Sequence, residues 1–129
     1  MNKDKRVMIK VLIADDHPLL RQGLKLILEE TEDIRVAEEA SDGEEVLDRL
    51  KNNSFDVMVL DINMPRKGGF EVLEKLKTLG NKIPVLILST YSEDEYKELA
   101  MREGAAGYLT KEQAPEKLID AIRRVFKKG

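Results

Sequence analysis

Val11-Leu12-Ile13-Ala14-Asp15-Asp16 and Val57-Met58-Val59-Leu60-Asp61 are the two stretches on which the fold turns. Each is a short, unbroken run of aliphatic residues that stops on an acid. Runs of this length without polar alternation suit strands covered on both faces, the condition of a parallel sheet. Val85 to Leu88 has the same character, so these three are read as central strands. Ile34 to Ala40 carries Glu38 and Glu39 in its second half, and Ala106 to Leu109 is interrupted by Gly107; both are read as sheet edges.

Segments of helical period lie between the runs. Leu20, Leu24, Ile27 and Leu28 fall on one stripe of a first helix, entered through Pro18 in its first turn. Ser41-Asp42-Gly43-Glu44 reads as a capping box for a second helix bearing Val46, Leu47 and Leu50, with Asn52 and Asn53 near its end. Phe70, Leu73, Leu76 and Leu79 stripe a third, which Gly80 stops. Ser92-Glu93-Asp94-Glu95 is expected to cap a fourth, whose apolar residues are few (Tyr96, Leu99, Ala100) and whose hold on the sheet is therefore weak. The fifth runs from about Pro115 through Leu118, Ile119, Ile122, Val125 and Phe126.

Five strands alternating with five helices imply a three-layer α/β fold. Each parallel pair needs a right-handed helical crossover, which puts helices on both faces. The pattern alone leaves the strand order open. The flavodoxin-like order 2-1-3-4-5 sets strands one and three side by side and places ligands beyond their carboxyl ends. Asp15, Asp16 and Asp61 all stand there, and Lys111 follows the last run, Gly107-Tyr108-Leu109-Thr110-Lys111.

Composition narrows the chemistry. With 129 residues, 42% of them hydrophobic, the chain is about one domain long and buries a core without staples. It has no cysteine and one histidine, which excludes disulfides, thiolate metal sites and a zinc cluster, so metal chemistry must use oxygen ligands. The net charge of −3 disfavours nonspecific binding to nucleic acid or an anionic membrane. No apolar stretch approaches the roughly 20 residues that span a bilayer, and the charged start lacks a signal-peptide core. A cytoplasmic chain is expected, with residues 1–8 frayed and residues 9–128 folded.

Three clustered carboxylates repel one another, and a bound Mg²⁺ relieves the repulsion. Mg²⁺ takes one or two carboxylates, several waters and a phosphate oxygen, which leaves an acid free to attack phosphorus and become an aspartyl phosphate. Asp61, on the central strand, is the expected nucleophile; Lys111 is the expected phosphoryl partner, and Ser89, at the end of the fourth strand, offers a hydroxyl.

The pattern resembles the receiver domains of two-component response regulators over essentially the whole chain. The residues that carry the likeness are Asp15-Asp16 after strand one, Asp61 with Met64-Pro65 and Gly68-Gly69 beyond, Ser89 after strand four, and Gly107-Tyr108-Leu109-Thr110-Lys111. The resemblance implies that Asp15, Asp16, Asp61 and the backbone carbonyl of Asn63 hold Mg²⁺. It implies that Asp61 accepts a phosphoryl group from a sensor histidine kinase, that Lys111 contacts it, and that Ser89 and Tyr108 move together as a switch. Such a domain is a signalling switch that catalyses only its own phosphorylation and dephosphorylation. Asp15-Asp16-His17-Pro18 and Ser89-Thr90-Tyr91 look most like receivers that precede a helix-turn-helix DNA-binding domain. The chain is read as either a stand-alone receiver or, in preference, the receiver part of a longer regulator with such an output domain outside it, and a phosphorylation-dependent homodimer is one of its possible partners. One departure is Glu112, where the family often has a proline joined by a cis bond; a non-proline cis bond costs about 2.5–4 kcal/mol, so a trans Lys111-Glu112 bond is predicted.

Plainer readings compete at each position. Asp16 alone would serve as a helix cap, Asp61 as a turn residue, and Lys111 as a surface lysine. His17 borders the acidic site, where it could tune it, but reads rather as a solvated loop residue, and Tyr108 reads equally as edge packing. Arg123, Arg124, Lys127 and Lys128 suit the C-terminal end of a helix, so direct DNA binding by this chain is not expected. A flavin module would need hydroxyls and amides after strand one, where two acids stand instead. A phosphohydrolase of the aspartate type would carry Asp-x-Asp there, whereas the nearest such pattern, Asp61-Ile62-Asn63, is on strand three. A pure binding scaffold would not need Asp15, Asp16, Asp61, Ser89 and Lys111 together.

Overall fold

A two-residue period along each buried strand sorts its side chains into two helical layers. The computed structural model of the chain describes residues 8–91 and 94–128. The elements follow in the order β1 (Ile9–Ala14), α1 (Pro18–Glu29), β2 (Ile34–Ala40), α2 (Gly43–Asn52), β3 (Val57–Asp61), α3 (Gly69–Leu79), β4 (Val85–Ser89), α4 (Asp94–Arg102), β5 (Gly107–Thr110) and α5 (Ala114–Lys128). All strand pairs are parallel and the sheet order is β2-β1-β3-β4-β5. The flavodoxin-like arrangement is the one present, with β2 and β5 at the edges as expected.

Val11, Ile13, Val57, Val59, Leu86 and Leu88 turn to one face and pack with Leu24 and Leu28 of α1 and Leu118 and Ile122 of α5. Their neighbours Leu12, Ala14, Met58, Leu60, Val85 and Ile87 turn to the other, against Val46 of α2, Val72 and Leu76 of α3, and Ala100 of α4. Each fully buried Leu or Ile here contributes about 1.5–3 kcal/mol relative to exposure. Because β1 and β3 are covered on both sides, their register is set by burial. A one-residue slip would send every side chain to the wrong layer.

Several local readings shift. β1 begins two residues before the expected Val11, and β5 covers 107–110 rather than 106–109. The cap of α2 is displaced by one residue from the expected Ser41-to-Glu44 box: Asp42 is the N-cap, its carboxylate accepts from the Glu45 amide at 2.8 Å, and the Glu45 side chain accepts from the Ser41 amide at 2.8 Å. On α3, Val72 rather than Leu79 completes the buried stripe, and Leu79 is exposed. The expected cap of α4 at Ser92 and Glu93, and all of the expected frayed segment 1–8 but Met8, lie outside the described residues. α4 buries Ala100 alone, which agrees with its weak amphipathic pattern.

Two glycines allow the chain to fold over the carboxyl edge. A Cβ on Gly69 would stand 2.8 Å from the Asp61 carbonyl and the Ile62 Cα, so the start of α3 lies directly on the end of β3. A Cβ on Gly43 would stand 2.3 Å from Lys67 Cβ and the Lys67 carbonyl, so the loop after β3 lies against the start of α2. Gly43→Ala should therefore lower the unfolding free energy in urea by about 1–3 kcal/mol, since backbone must move to make room. Leu99→Ala, on the exposed side of α4, should change it by less than about 0.5 kcal/mol.

Candidate functional site

The end of β1 meets the end of β3 because the two strands pair from Val11–Val57 through Ala14–Leu60. The next residue on each is an acid or leads to one. Asp15 and Asp61 are each about 98% buried, and the Asp15 amide is fixed by the Ala40 carbonyl of β2 at 3.0 Å. Asp16 is half-buried beside them. The N-cap of α1 is His17, whose side chain makes no cap bond, so the helix-cap reading of Asp16 does not hold.

Lys111 closes the cluster from the far side. Its amide donates to the Ser89 carbonyl at 2.8 Å, anchoring the chain past β5 to the end of β4. Its Nζ donates to Asp61 Oδ2 at 3.2 Å and lies 3.1 Å from Asp15 Oδ2, the latter an ion contact without hydrogen-bond geometry. No described peptide bond is cis, so Lys111-Glu112 is trans as predicted, and the lysine reaches both acids from that geometry. One ammonium thus serves two buried carboxylates.

Burial and the neighbouring Asp15 carboxylate push the Asp61 acid above its ordinary range, against the opposing pull of the Asn63 amide and Lys111. Burial works against the charged form of Lys111, yet Asp61 and Asp15 outweigh it and hold the ammonium above its usual value. Asp15, Asp16, His17 and Asp61 each offer one ligand atom, and the four atoms lie within 4.8 Å of one another. Asp15 Oδ2 and Asp16 Oδ1 are buried without a hydrogen bond. A cluster of hard, underbonded oxygens with surplus negative charge fits a divalent cation of the Mg²⁺ type.

The remaining expected residues are arranged around this centre. Asn63 is exposed, and its amide donates to Asp61 Oδ1 at 3.2 Å, which puts its backbone at the acid. Ser89 is fully buried at the end of β4, and its Oγ accepts from the Tyr91 amide at 2.9 Å. Tyr108, half-buried on β5, donates its hydroxyl to the Tyr91 carbonyl at 2.6 Å. His17 is exposed, as a loop histidine should be, but it is not free of the site, because its Nδ1 lies 2.8 Å from Asp15 Oδ1. Arg123 is not an open basic residue; it makes a two-pronged pair with Asp33 at 2.8 and 3.0 Å.

Three features escaped the sequence reading. Tyr91 joins Ser89 to Tyr108 through its two backbone groups and stacks on Tyr96 of α4, with ring centroids 4.4 Å apart. Arg66, at φ 62° the one non-glycine residue of positive φ among those described, pairs with the buried Asp42. The Glu45 amide and Arg66 together hold the Asp42 acid below its ordinary range in spite of burial. Arg21 of α1 donates to the Asp15 carbonyl and pairs with Glu39 at 3.0 Å. Only the Asp-Gly of Asp42-Gly43 hinted at any of these, as a helix start.

The receiver-domain family of response regulators matches residues 11–123. The transcriptional regulatory protein YxjL of Bacillus subtilis is 40% identical over 123 residues, covering 95% of this chain and 55% of YxjL. The nitrate/nitrite response regulator NarL of Escherichia coli is 40% identical over 116 residues, covering 88% of this chain and 53% of NarL. The chain thus spans about half the length of these curated relatives. The signal receiver domain of the response regulator NarL from Mycobacterium tuberculosis superposes with a TM-score of 0.89 at 30% identity, covering 95% of this chain and 99% of that one. A DNA-binding response regulator of the LuxR family from Staphylococcus aureus superposes with a TM-score of 0.85 at 27% identity, covering 92% and 99%.

Two like charges held in a dry edge should make the unliganded site a source of instability. With its folded pKa raised, Asp61 binds more protons in the native than in the unfolded chain between the two pKa values. Stability therefore falls as pH rises through that window and stays low above it. In metal-free buffer at pH 7, Asp61→Asn should raise the unfolding free energy by about 1 kcal/mol, and the melting temperature by roughly 4 °C. The gain should shrink as the pH is lowered through the window. A melting temperature unchanged by the substitution at every pH would contradict this balance of charges.

Proposed function

The chain belongs to the response regulator receiver family, and we propose that Asp61 is the residue on which this receiver carries its phosphoryl group. The family gives the coarse function: a receiver domain of two-component signalling, in a group whose relatives regulate transcription. The observation that carries the finer reading is the shared ammonium, with Lys111 Nζ at 3.1–3.2 Å from oxygens of both Asp15 and Asp61.

In this reading an Asp61 oxygen attacks phosphorus and forms an O–P bond. The bond from phosphorus to the donor nitrogen of a kinase phosphohistidine breaks, and its electron pair leaves with the imidazole. Lys111 then exchanges its contact with the Asp61 oxygen for one with the phosphoryl group, a point charge following the negative charge as it moves. Asp15, Asp16, Asp61 and the Asn63 carbonyl would hold Mg²⁺. When bound, the ion would neutralise charge on the transferring oxygens and relieve the repulsion between the acids.

Ser89 has a hydroxyl hydrogen to offer a phosphoryl oxygen, since its Oγ accepts from Tyr91. Drawing Ser89 inward would pull the Tyr91 amide with it, and Tyr108 follows because it is bonded to the Tyr91 carbonyl. The phosphoryl group would thereby shift a population between two arrangements of α4 and β5. A sensor histidine kinase is the expected donor. The output is assigned to a helix-turn-helix domain beyond this chain, a phosphorylation-dependent homodimer or both. Arg123 is already paired with Asp33, which agrees with a chain that does not itself bind DNA.

Incubation with a small acyl phosphate and Mg²⁺ should label the chain with acid-labile phosphate, and Asp61→Ala should abolish the label. Persistent labelling of that variant would refute the assignment. Lys111→Ala should leave Mg²⁺ binding in place while slowing phosphoryl uptake by at least roughly tenfold. An undiminished rate would remove Lys111 from the chemistry.

A further inference from the structure

The acid cluster has a neighbour that an all-oxygen cation site leaves unused, the imidazole of His17. Its position is built in by the backbone. Pro18 begins α1 and bars the residue before it from helical dihedrals, and His17 accordingly sits extended at φ −105°, ψ 102°. Its amide donates to Asp15 Oδ1 at 2.7 Å, folding the residue back over the acid. The ring nitrogen Nδ1 then lies 2.8 Å from Asp15 Oδ1 and 3.1 Å from Asp16 Oδ1.

Those separations have a chemical meaning. Adjacent ligands of an octahedral ion with bonds of about 2.1 Å stand about 3.0 Å apart, and opposite ones about 4.2 Å. The four donors of Asp15, Asp16, His17 and Asp61 lie within 4.8 Å of one another, a few tenths of an ångström wider than opposite ligands, so small side-chain shifts would bring them around one ion. Asp15 Oδ2, on a side chain about 98% buried, and Asp16 Oδ1 both lack a hydrogen bond, the former having only the ion contact with Lys111 Nζ at 3.1 Å. The His17 side chain is 62% exposed, so its ring is not committed to the core.

We propose that His17 is a ligand of the cation site, which adds affinity for first-row transition ions of the Mn²⁺, Co²⁺ and Ni²⁺ kind beyond what the oxygen ligands that serve Mg²⁺ supply. The proposal rests on the reading of the acid cluster as a cation site. An imidazole nitrogen adds little for Mg²⁺, which is served by oxygen and water, whereas along the transition series nitrogen donors add progressively more affinity. The ring would coordinate through the Nδ1 lone pair, as the neutral tautomer with its proton on Nε2. The competing role is purely orienting, with Nδ1–H donating to Asp15.

Calorimetric titration of the untagged full chain with Mg²⁺ and separately with Ni²⁺, in the parent and in His17→Ala, separates the two roles. Loss of a ligand should weaken Ni²⁺ binding by roughly tenfold or more and Mg²⁺ binding by less than about twofold. Equal weakening of both ions, or no weakening of Ni²⁺, would overturn the proposal. Because His17 is the single histidine of the chain, electron spin-echo spectra of the Cu²⁺-loaded protein give a direct readout. Modulation from the remote imidazole nitrogen is expected in the parent, diminished in Asp16→Asn and lost in His17→Ala; its absence from the parent would overturn the assignment. Saturable Mg²⁺ binding with no imidazole signal would sink the His17 proposal alone. A parent that binds neither ion would sink the cation site as well.

Discussion

Two carboxylates buried at the ends of adjacent strands, balanced by one ammonium, is the constraint around which the rest of the molecule is arranged. The sheet order makes the pairing unavoidable: β1 and β3 run in register, both covered by helices, with Asp15 just past the end of one and Asp61 at the end of the other. Burial raises the free energy of the charged forms, and each acid raises that of the other. Lys111 compensates both from the neighbourhood of β5, three strands away from β1. A site so poised gains more from an added cation than a solvated cluster would, because binding removes a repulsion already present in the folded chain. Instability and function here have one origin.

Holding such a site requires supports outside it. Arg21 fixes the Asp15 carbonyl and is itself paired with Glu39, whose acid is held below its ordinary range by Lys25 and Arg21 in spite of burial. On the other flank the loop after Asp61 is tied down by the Arg66–Asp42 pair and by the close approach of Lys67 to Gly43. Arg66 occupies a left-handed backbone conformation that a β-carbon disfavours. Its ion pair with a buried helix cap offsets that cost. Asp42 therefore serves twice, once for α2 and once for the loop that carries Asn63.

The central strands were legible in the sequence because double-sided burial leaves a signature that needs no partner: unbroken aliphatic runs ending on acids. The strand order was not in the pattern itself; it came with the likeness of Asp15-Asp16, Asp61 and Lys111 to a known constellation. What stayed hidden were contacts between residues whose local sequence is unremarkable in isolation. Ser41-Asp42-Gly43-Glu44-Glu45 offers two cap registers one residue apart, and only the seat of Asp42 beside Arg66 decides between them. His17 and Arg123 read correctly as exposed and helical, yet each has a partner contributed by the fold, Asp15 in one case and Asp33 in the other. Side-chain identity told what those residues prefer, and only the three-dimensional arrangement told what they touch.

Tyr91 shows why that distinction bears on signalling. A hydroxyl at Ser89 and a ring at Tyr108 lie on different strands, and nothing in their spacing says how one would sense the other. The backbone of Tyr91 supplies the connection, its amide on Ser89 and its carbonyl on Tyr108, while its ring stacks on Tyr96. Any movement of Ser89 toward a phosphoryl group must break or carry these bonds together, because the peptide units flanking Tyr91 are planar and share one α-carbon. The ring contact extends the coupling to α4, the helix with only Ala100 fully buried. The least firmly packed helix is thus the one joined to the proposed switch, which is where a small change in bonding free energy produces the largest change in population.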